Sequence, residues 1–488
     1  MNINKLFLRF TAVFIGMAIM IVELLASRVL SPYVGSTHIV WTCVIGIILL
    51  SMSVGYYLGG KIADKWPKPE LLALIILSSS LLISLIPTLE SLVLLRITSL
   101  TGDNLVLTTL ISVLLVFSIP SVLLASVSPF IIKLEEANNT NIARTSGLLS
   151  ALFSLGSIMG TFLGGLVLIQ FFGNRIILLI LSICLLVISL IIYRQVNLKV
   201  VLVTTVSLLF IIGSYFFSVI CFEEKNPDVI EDIDTLYSRI LVRQEMNTKA
   251  MQVDMAIESV ENNQNNTFAR YLYFFDLFNH FNKHATEVLM IGGAGYTYPQ
   301  YFLEKYHDKQ INVVEIDPKV TELARKHFGL TDNQRLKIIH RDGRSFLNSL
   351  KTNYDIIMID AFKGFEMPFE LTTKEAFQEI HGSLNDEGML MINIIAAIED
   401  RSSDFLDREF NTLKQVFPQV LVLPVDNHKS KRLRQNIILI ALKSDKRVVL
   451  TSLDEQENYY LSKVIDYKPR SDDILTDDFA PIRNFSYK

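Results

Sequence analysis

Hydrophobic and polar positions follow two different patterns that meet near residue 222. Before that point apolar residues run in long blocks almost free of charge; after it they come in short runs separated by amphipathic stretches. Seven of the long blocks are sufficient to span a bilayer as helices, near 7–28, 38–59, 70–90, 105–132, 146–171, 175–194 and 200–221. The first is too long, and too closely followed by others, for a cleaved signal peptide. Lys5 and Arg9, Lys61, Lys65 and Lys68, Lys133 and Arg144, and Arg194 and Lys199 mark alternate loops, which predicts a cytoplasmic N-terminus. Within the fifth block Gly156, Gly160 and Gly164 recur every four residues, the spacing that lets two helices approach closely. Glu23 and Arg28 sit in or at the end of the first block, either as a functional intramembrane acid or as an ion pair reaching for the interface.

The second pattern starts near Asp234. TLYSRILVRQ (235–244) and AMQVDMAIES (250–259) predict strands of a small sheet. Strands and helices then alternate. EVLMIGG (287–293) leads to a helix, INVVEID (311–317) to ELARKHF, LKIIHRDG (336–343) to RSFLNSL, and YDIIMIDAF (354–362) to TKEAFQEIHGSL; GMLMINII (388–395) and QNIILIAL (435–442) follow. Continuous apolar strands separated by helices predict a parallel sheet covered on both faces. The domains expected are therefore a transmembrane domain of about seven helices (1–222), a small β domain (234–280) and a Rossmann-like domain (281–488).

Composition adds exclusions. A net charge of −4 and a pI near 6.1 give no electrostatic case for nucleic acid. Half the residues are hydrophobic and the mean hydropathy is +0.38, an excess concentrated in the first part. Cys43, Cys184 and Cys221 all lie in or beside apolar blocks, leaving no disulfide framework or thiolate metal site for the second part.

Ligands of doubly covered parallel sheets sit at the carboxyl ends of the strands. Candidate groups occur there: Gly292, Gly293 and Gly295 after the first strand, Glu315 at the end of the second, Asp342 and Gly343 after the third, and Asp360 closing the fourth. Singly, each acid has an alternative role as a helix cap. Together they outline an adenosine-shaped cleft, with Glu315 at the distance where an acid takes a ribose diol. A dinucleotide would need a third glycine where Tyr298 stands, and ATP would need a P-loop that the sequence lacks. An adenosyl ligand without phosphate fits better. S-adenosylmethionine and its decarboxylated form carry a sulfonium that can rest on aromatic faces, which Tyr296 and Tyr298 could offer.

GGAGYTYPQYF, VVEIDP, HRDGRSFL, YDIIMIDAF, LTTKEAF and the late LTDDFAPI together resemble spermidine synthases, more closely the membrane-anchored spermidine synthase-like proteins fused to a transporter-like domain. In the first part, LGGKIADK (58–65) resembles the loop motif of major facilitator transporters, although seven spans are only about half of one. The resemblance implies a small β domain before a methyltransferase-like Rossmann sheet, and transfer of an aminopropyl group from decarboxylated S-adenosylmethionine to an amine. It implies Glu315 at the ribose, Asp342 and Gly343 at the adenine, and Asp360 as the carboxylate that orients and deprotonates the amine. Tyr271, Asp276, Tyr298 and Lys363 are the substrate-side candidates. The sequence departs from the family where an acid of the glycine turn is replaced by Gly295 or Tyr296, and where Lys363 stands in place of a second acid. A cation there suits a donor that keeps its carboxylate, so S-adenosylmethionine is the expected donor.

Three activities fit these residues: alkyl transfer or cyclisation releasing methylthioadenosine, methyl transfer, and adenosyl-ligand sensing or transport without turnover. The donor would be a co-substrate, with no permanent cofactor and no metal. The partners expected are a small-molecule substrate and the lipid bilayer, with a homodimer as the candidate assembly. Seven spans from a cytoplasmic N-terminus would put the second part outside, whereas its ligand belongs in the cytoplasm. An eighth crossing within 91–132 or a re-entrant span would resolve the conflict, and the ligand argument places the domain in the cytoplasm.

Overall fold

A computed structural model describes residues 4–480 apart from 36, 102–103, 137–141, 194–197, 263–266, 363–366, 400–402 and 427–430. The chain divides into two compact units, residues 1–229 with 233–239 and residues 230–232 with 240–488.

The first unit is helical. Among the described residues seven helices are long and apolar enough to cross a membrane: Lys5–Val34, His38–Lys65, Pro69–Leu89, Ser118–Glu136, Ile142–Leu168, Asn174–Tyr193 and Leu198–Glu224. Side-chain oxygens of Asn4 and Thr37 cap the first two by accepting from the Leu6 and Val40 amides. The block 105–132, expected as one span, is two helices, Leu105–Val116 and Ser118–Glu136. Pro120 accounts for the break, because it has no N–H to give and its ring collides with the carbonyl four residues back, that of Val116. Two shorter apolar helices, Leu92–Thr101 and Leu105–Val116, thus occupy the stretch in which an eighth crossing was sought. Twelve residues rise only about 18 Å, short of a hydrocarbon core of about 30 Å. Arg28 donates to the carbonyls of Thr235 and Leu236.

The glycine repeat has a packing role. A Cβ on Gly156 would lie 1.9 Å from the Val13 carbonyl oxygen, and one on Gly160 2.5 Å from that of Met17, so the helices Lys5–Val34 and Ile142–Phe162 touch through their backbones. Gly156→Leu is expected to unseat this pair. The protein in detergent should lose most of its thermal stability, and a melting curve like that of the unmodified protein would remove this packing from the account.

The second unit carries two sheets. The smaller has five strands in sequential order: β1 (Val229–Asp234), β2 (Arg239–Glu245), β3 (Thr248–Val253), β4 (Ala256–Asn262) and β5 (Thr267–Phe268). The run AMQVDMAIES is therefore not one strand. It folds back on itself at Asp254, whose φ of 50° makes the turn, and β3 pairs antiparallel with β4. The larger sheet contains β6 (Glu287–Ile291), β7 (Gln310–Glu315), β8 (Leu336–His340), β9 (Tyr354–Ile359), β10 (Leu384–Ala396), β11 (Gln419–Pro424) and β12 (Gln435–Leu442), in the order β11-β12-β10-β9-β6-β7-β8. Five neighbouring strands run parallel, as expected, but β12 is antiparallel to both β10 and β11. The sheet is mixed. A late strand inserted antiparallel between the fifth and sixth gives the methyltransferase-like Rossmann arrangement.

Candidate active site

Strand register builds the site. Ile291 of β6 pairs with Val314 of β7 and with Ile359 of β9, which in turn pairs with Ile392 of β10. The next residue of each strand therefore falls in one row at the carboxyl edge: Glu315, Gly292, Asp360 and Asn393. The sheet order reverses between β6 and β9, the position at which such folds open a crevice.

Three closely spaced residues of the turn after β6 have positive φ: Gly292 at 99°, Ala294 at 42° and Tyr296 at 56°. Only Gly292 is compelled to be glycine by space as well, since a Cβ there would lie 2.1 Å from the Asp360 carbonyl oxygen. Glu315 holds the turn. Its Oε2 accepts from the amides of Gly293 (2.9 Å) and Ala294 (3.4 Å), and its Oε1 accepts from that of Asp317 (2.9 Å). The Gly295 amide donates to Ser259 Oγ at 2.8 Å, which ties the turn to β4. Burial pushes the Glu315 carboxyl up, and these amides oppose the shift.

Asp360 lines a cavity of about 90 Å³ together with Glu258, Tyr271, Gly292, Gly293, Tyr298 and Asn393. The Tyr271 hydroxyl donates to its Oδ2 at 2.9 Å, and the Asn393 amide nitrogen donates to its Oδ1 at 2.9 Å. Burial raises the carboxyl to about 6 against the pull of those two donors. A carboxylate so placed is ionised at neutral pH yet close enough to its midpoint to take a proton.

The other expected residues are dispersed. Tyr298 reaches the cavity, whereas the fully buried Tyr296 turns away to pack its ring at Gly293 and share a hydrogen bond with Thr321 Oγ1 at 2.8 Å. Gly295 packs against Ser259 and Phe328. Asp342 is exposed and caps a helix by accepting from the Ser345 amide at 2.8 Å, while Gly343 packs against Ile291 and Leu371. Asp276 is buried beneath the helix Thr297–Lys305, where it accepts from Tyr301 (2.6 Å), Lys305 (2.8 Å) and Tyr298 (3.4 Å). It thereby positions the Tyr298 ring that lines the cavity. Lys363 lies outside the described residues. Among the lining residues that sequence reasoning missed are Asn393 and Glu258. Asn393 had a visible signal, a lone amide in the apolar run GMLMINII, and such a group needs a partner once buried. Glu258 was hidden in a run read as one strand.

The sequence matches the spermine/spermidine synthase domain over residues 272–426. A polyamine aminopropyltransferase of Vibrio vulnificus is 26% identical over 215 residues, covering 41% of this chain and 70% of that protein. An eEF1A lysine and N-terminal methyltransferase of Xenopus laevis is 30% identical over 149 residues, 28% of this chain and only 21% of that protein. The crystal structure of a probable spermidine synthase from Corynebacterium glutamicum aligns with a TM-score of 0.44 at 19% identity, over 52% of this chain and 98% of that one. The chain thus carries a spermidine synthase domain with polyamine aminopropyltransferase homologues, behind a region of long apolar helices.

Proposed function

We propose that the second unit transfers an alkyl group, of the aminopropyl type, from an adenosyl sulfonium donor to a nucleophile held at Asp360. The three-part division at 1–222, 234–280 and 281–488 and a multi-pass membrane location with the catalytic part in the cytoplasm belong to the same reading. The observation that carries it is Asp360 itself: a carboxylate at the crevice of the sheet, on the cavity wall, raised to about 6 and aimed by Tyr271 and Asn393.

An amine arriving as ammonium has no lone pair. Asp360 accepts its proton, the freed nitrogen forms a bond to the donor's carbon, and the carbon–sulfur bond breaks. Sulfur keeps the electron pair and leaves as the neutral thioether methylthioadenosine. A nucleophile within the donor's own tail would give cyclisation by the same steps. Positioning supplies much of the rate, because the donor is already a good electrophile.

Glu315 is assigned to the ribose. Its Oε1 accepts only the Asp317 amide and keeps a lone pair for a ribose hydroxyl, whereas both lone pairs of Oε2 face the Gly293 and Ala294 amides. Losing a charged acceptor costs about 1.5–3 kcal/mol, so Glu315→Ala is expected to weaken methylthioadenosine binding at least tenfold in calorimetry; unchanged affinity would remove the ribose assignment. Methyl transfer is kept as a second reading because of the similarity to the Xenopus methyltransferase. Its product, S-adenosylhomocysteine, is distinguishable from methylthioadenosine by mass.

A further inference from the structure

Serine hydroxyls pin three helices of the first unit together. Ser80 Oγ donates to the Ser182 carbonyl and Ser189 Oγ to that of Ala73, each at 2.7 Å. These bonds set the start of the helix Pro69–Leu89 beside the end of Asn174–Tyr193. Ser214 Oγ donates to the Ser84 carbonyl at 2.7 Å, which ties Leu198–Glu224 to the far end of Pro69–Leu89. Val200 lies fourteen residues before Ser214, about 21 Å along the helix. There a cavity of about 170 Å³ opens among the three helices, walled by Leu74, Leu77, Leu186, Leu190, Val200 and Val203. Ser189 and Thr204 on the same wall spend their protons on the carbonyls of Ala73 and Val200. The donors left on the described lining are the Lys199 ammonium and the Tyr193 hydroxyl, and that lining holds no acid.

The cavity opens sideways, because Leu74 and Val203 on its wall are 55% and 51% exposed. Its depth follows from its neighbours. Lys65, Trp66 and Lys68 precede the helix Pro69–Leu89 at this end, with the Lys65 ammonium 4.4 Å from the Trp66 ring centre. Aromatic and basic residues gather at the level of lipid headgroups, so Lys199 stands at that level and the leucines lie beneath it. The exposed Glu70 in the first turn of Pro69–Leu89 is outnumbered by these lysines, and the rim stays positive. A partner helix does not fit, since one turn of a helix about 10 Å across takes roughly 400 Å³. A single hydrocarbon chain does. Basic side chains between transmembrane helices are the usual seat of anionic headgroups.

We propose that this cavity seats one acyl chain of an anionic phospholipid, whose phosphate takes the Lys199 ammonium, with the Tyr193 hydroxyl as second donor. The proposal rests on the multi-pass membrane reading above. Head and tail are both needed. The leucines and valines receive the chain, and Lys199 adds a charge-assisted hydrogen bond to the phosphate. A zwitterionic headgroup weakens that bond by the cation it carries itself. Free phosphate would make no use of the apolar wall, and an uncharged chain none of Lys199.

Native mass spectrometry tests it on the full-length protein, stripped of lipid in detergent and incubated with phosphatidylglycerol or with phosphatidylcholine of the same acyl chains. The unmodified protein is expected to retain phosphatidylglycerol at least fivefold more than phosphatidylcholine. Lys199→Glu should lower phosphatidylglycerol retention at least fivefold by reversing the charge at the head. Val203→Trp should do the same by filling the space for the tail. Both side chains are exposed, so neither change threatens the fold. Lys61→Glu and Leu209→Trp, exposed positions outside the cavity, should stay within twofold of the unmodified protein. Equal retention of the two lipids overturns the proposal, as does unchanged retention in either Lys199→Glu or Val203→Trp. Displacement of phosphatidylglycerol by excess inorganic phosphate would also overturn it, marking a site for the free ion. Alkaline carbonate washing of membranes checks the membrane reading separately. Release of the protein without detergent ends that reading, whereas a protein that stays in the membrane and retains no phosphatidylglycerol loses the lipid seat alone.

Discussion

Asp360→Asn should lower turnover by about 10²–10⁴-fold, the usual range for a lost general base, while methylthioadenosine affinity changes less than threefold. The substitution keeps the shape of the side chain and one acceptor. Its new amide can donate to Asn393 Oδ1, which is buried and without a partner, once the Asn393 amide turns over. The fold is therefore not at risk. It should even gain. A carboxyl raised from 3.8 to about 6 by burial binds its proton more tightly folded than unfolded. Its stabilising contribution is present below pH 4 and is lost as pH rises through about 6, leaving the charged form on the order of 3 kcal/mol worse off at neutral pH. Asp360→Asn removes that burden, so the ligand-free protein should melt several degrees higher at pH 7, with the difference shrinking toward pH 4. In the unmodified protein turnover should fall as pH drops through about 6, when Asp360 takes up its proton. Full activity in Asp360→Asn would eliminate the base.

The second large effect belongs to a residue with no chemistry of its own. Gly292→Ala places a methyl group where the structure leaves 2.1 Å to the Asp360 carbonyl oxygen, on a backbone with φ at 99°. The atom in the way is main chain, so no rotamer change can relieve the overlap. Holding a non-glycine residue in such a conformation costs of order 1–3 kcal/mol before the collision is counted. Strands β6 and β9 must separate at their carboxyl ends, which displaces Asp360 and the turn held by Glu315 together. Turnover and methylthioadenosine affinity should both fall more than tenfold, with a lower melting temperature. Ala294→Gly, at φ 42° in the same turn, should leave all three nearly unchanged. A Gly292→Ala protein with unmodified binding would show that the turn does not shape the site.

The contrast between these residues explains how much was legible beforehand. Apolar runs ending in Gly292, Glu315 and Asp360 identify strands whose last residues share one edge, because parallel strands in register expose their ends together. The two hydrogen bonds that aim Asp360 were hidden in pairings made over long separations: Tyr271 lies 89 residues away from it and Asn393 33 residues. Glu258 was obscured differently. Asp254 takes a turn conformation in the middle of an apolar stretch, and a single-strand reading assigns alternate faces without knowing that the chain reverses. The antiparallel β12 was invisible for a related reason, since an apolar run has the same composition in either direction. Tyr296 shows the limit of motif reasoning at a turn: its left-handed backbone sends the ring beneath the turn, toward Thr321, while Tyr298, two residues on, faces the cavity.

Product analysis by mass spectrometry tests the central claim most directly. The full-length protein in detergent is incubated with putrescine and either S-adenosylmethionine or its decarboxylated form, beside Asp360→Asn under the same conditions. The account predicts methylthioadenosine from at least one donor, at a rate that Asp360→Asn lowers by about 10²-fold or more. Release of S-adenosylhomocysteine alone, or methylthioadenosine formed equally fast without the carboxylate, would contradict it.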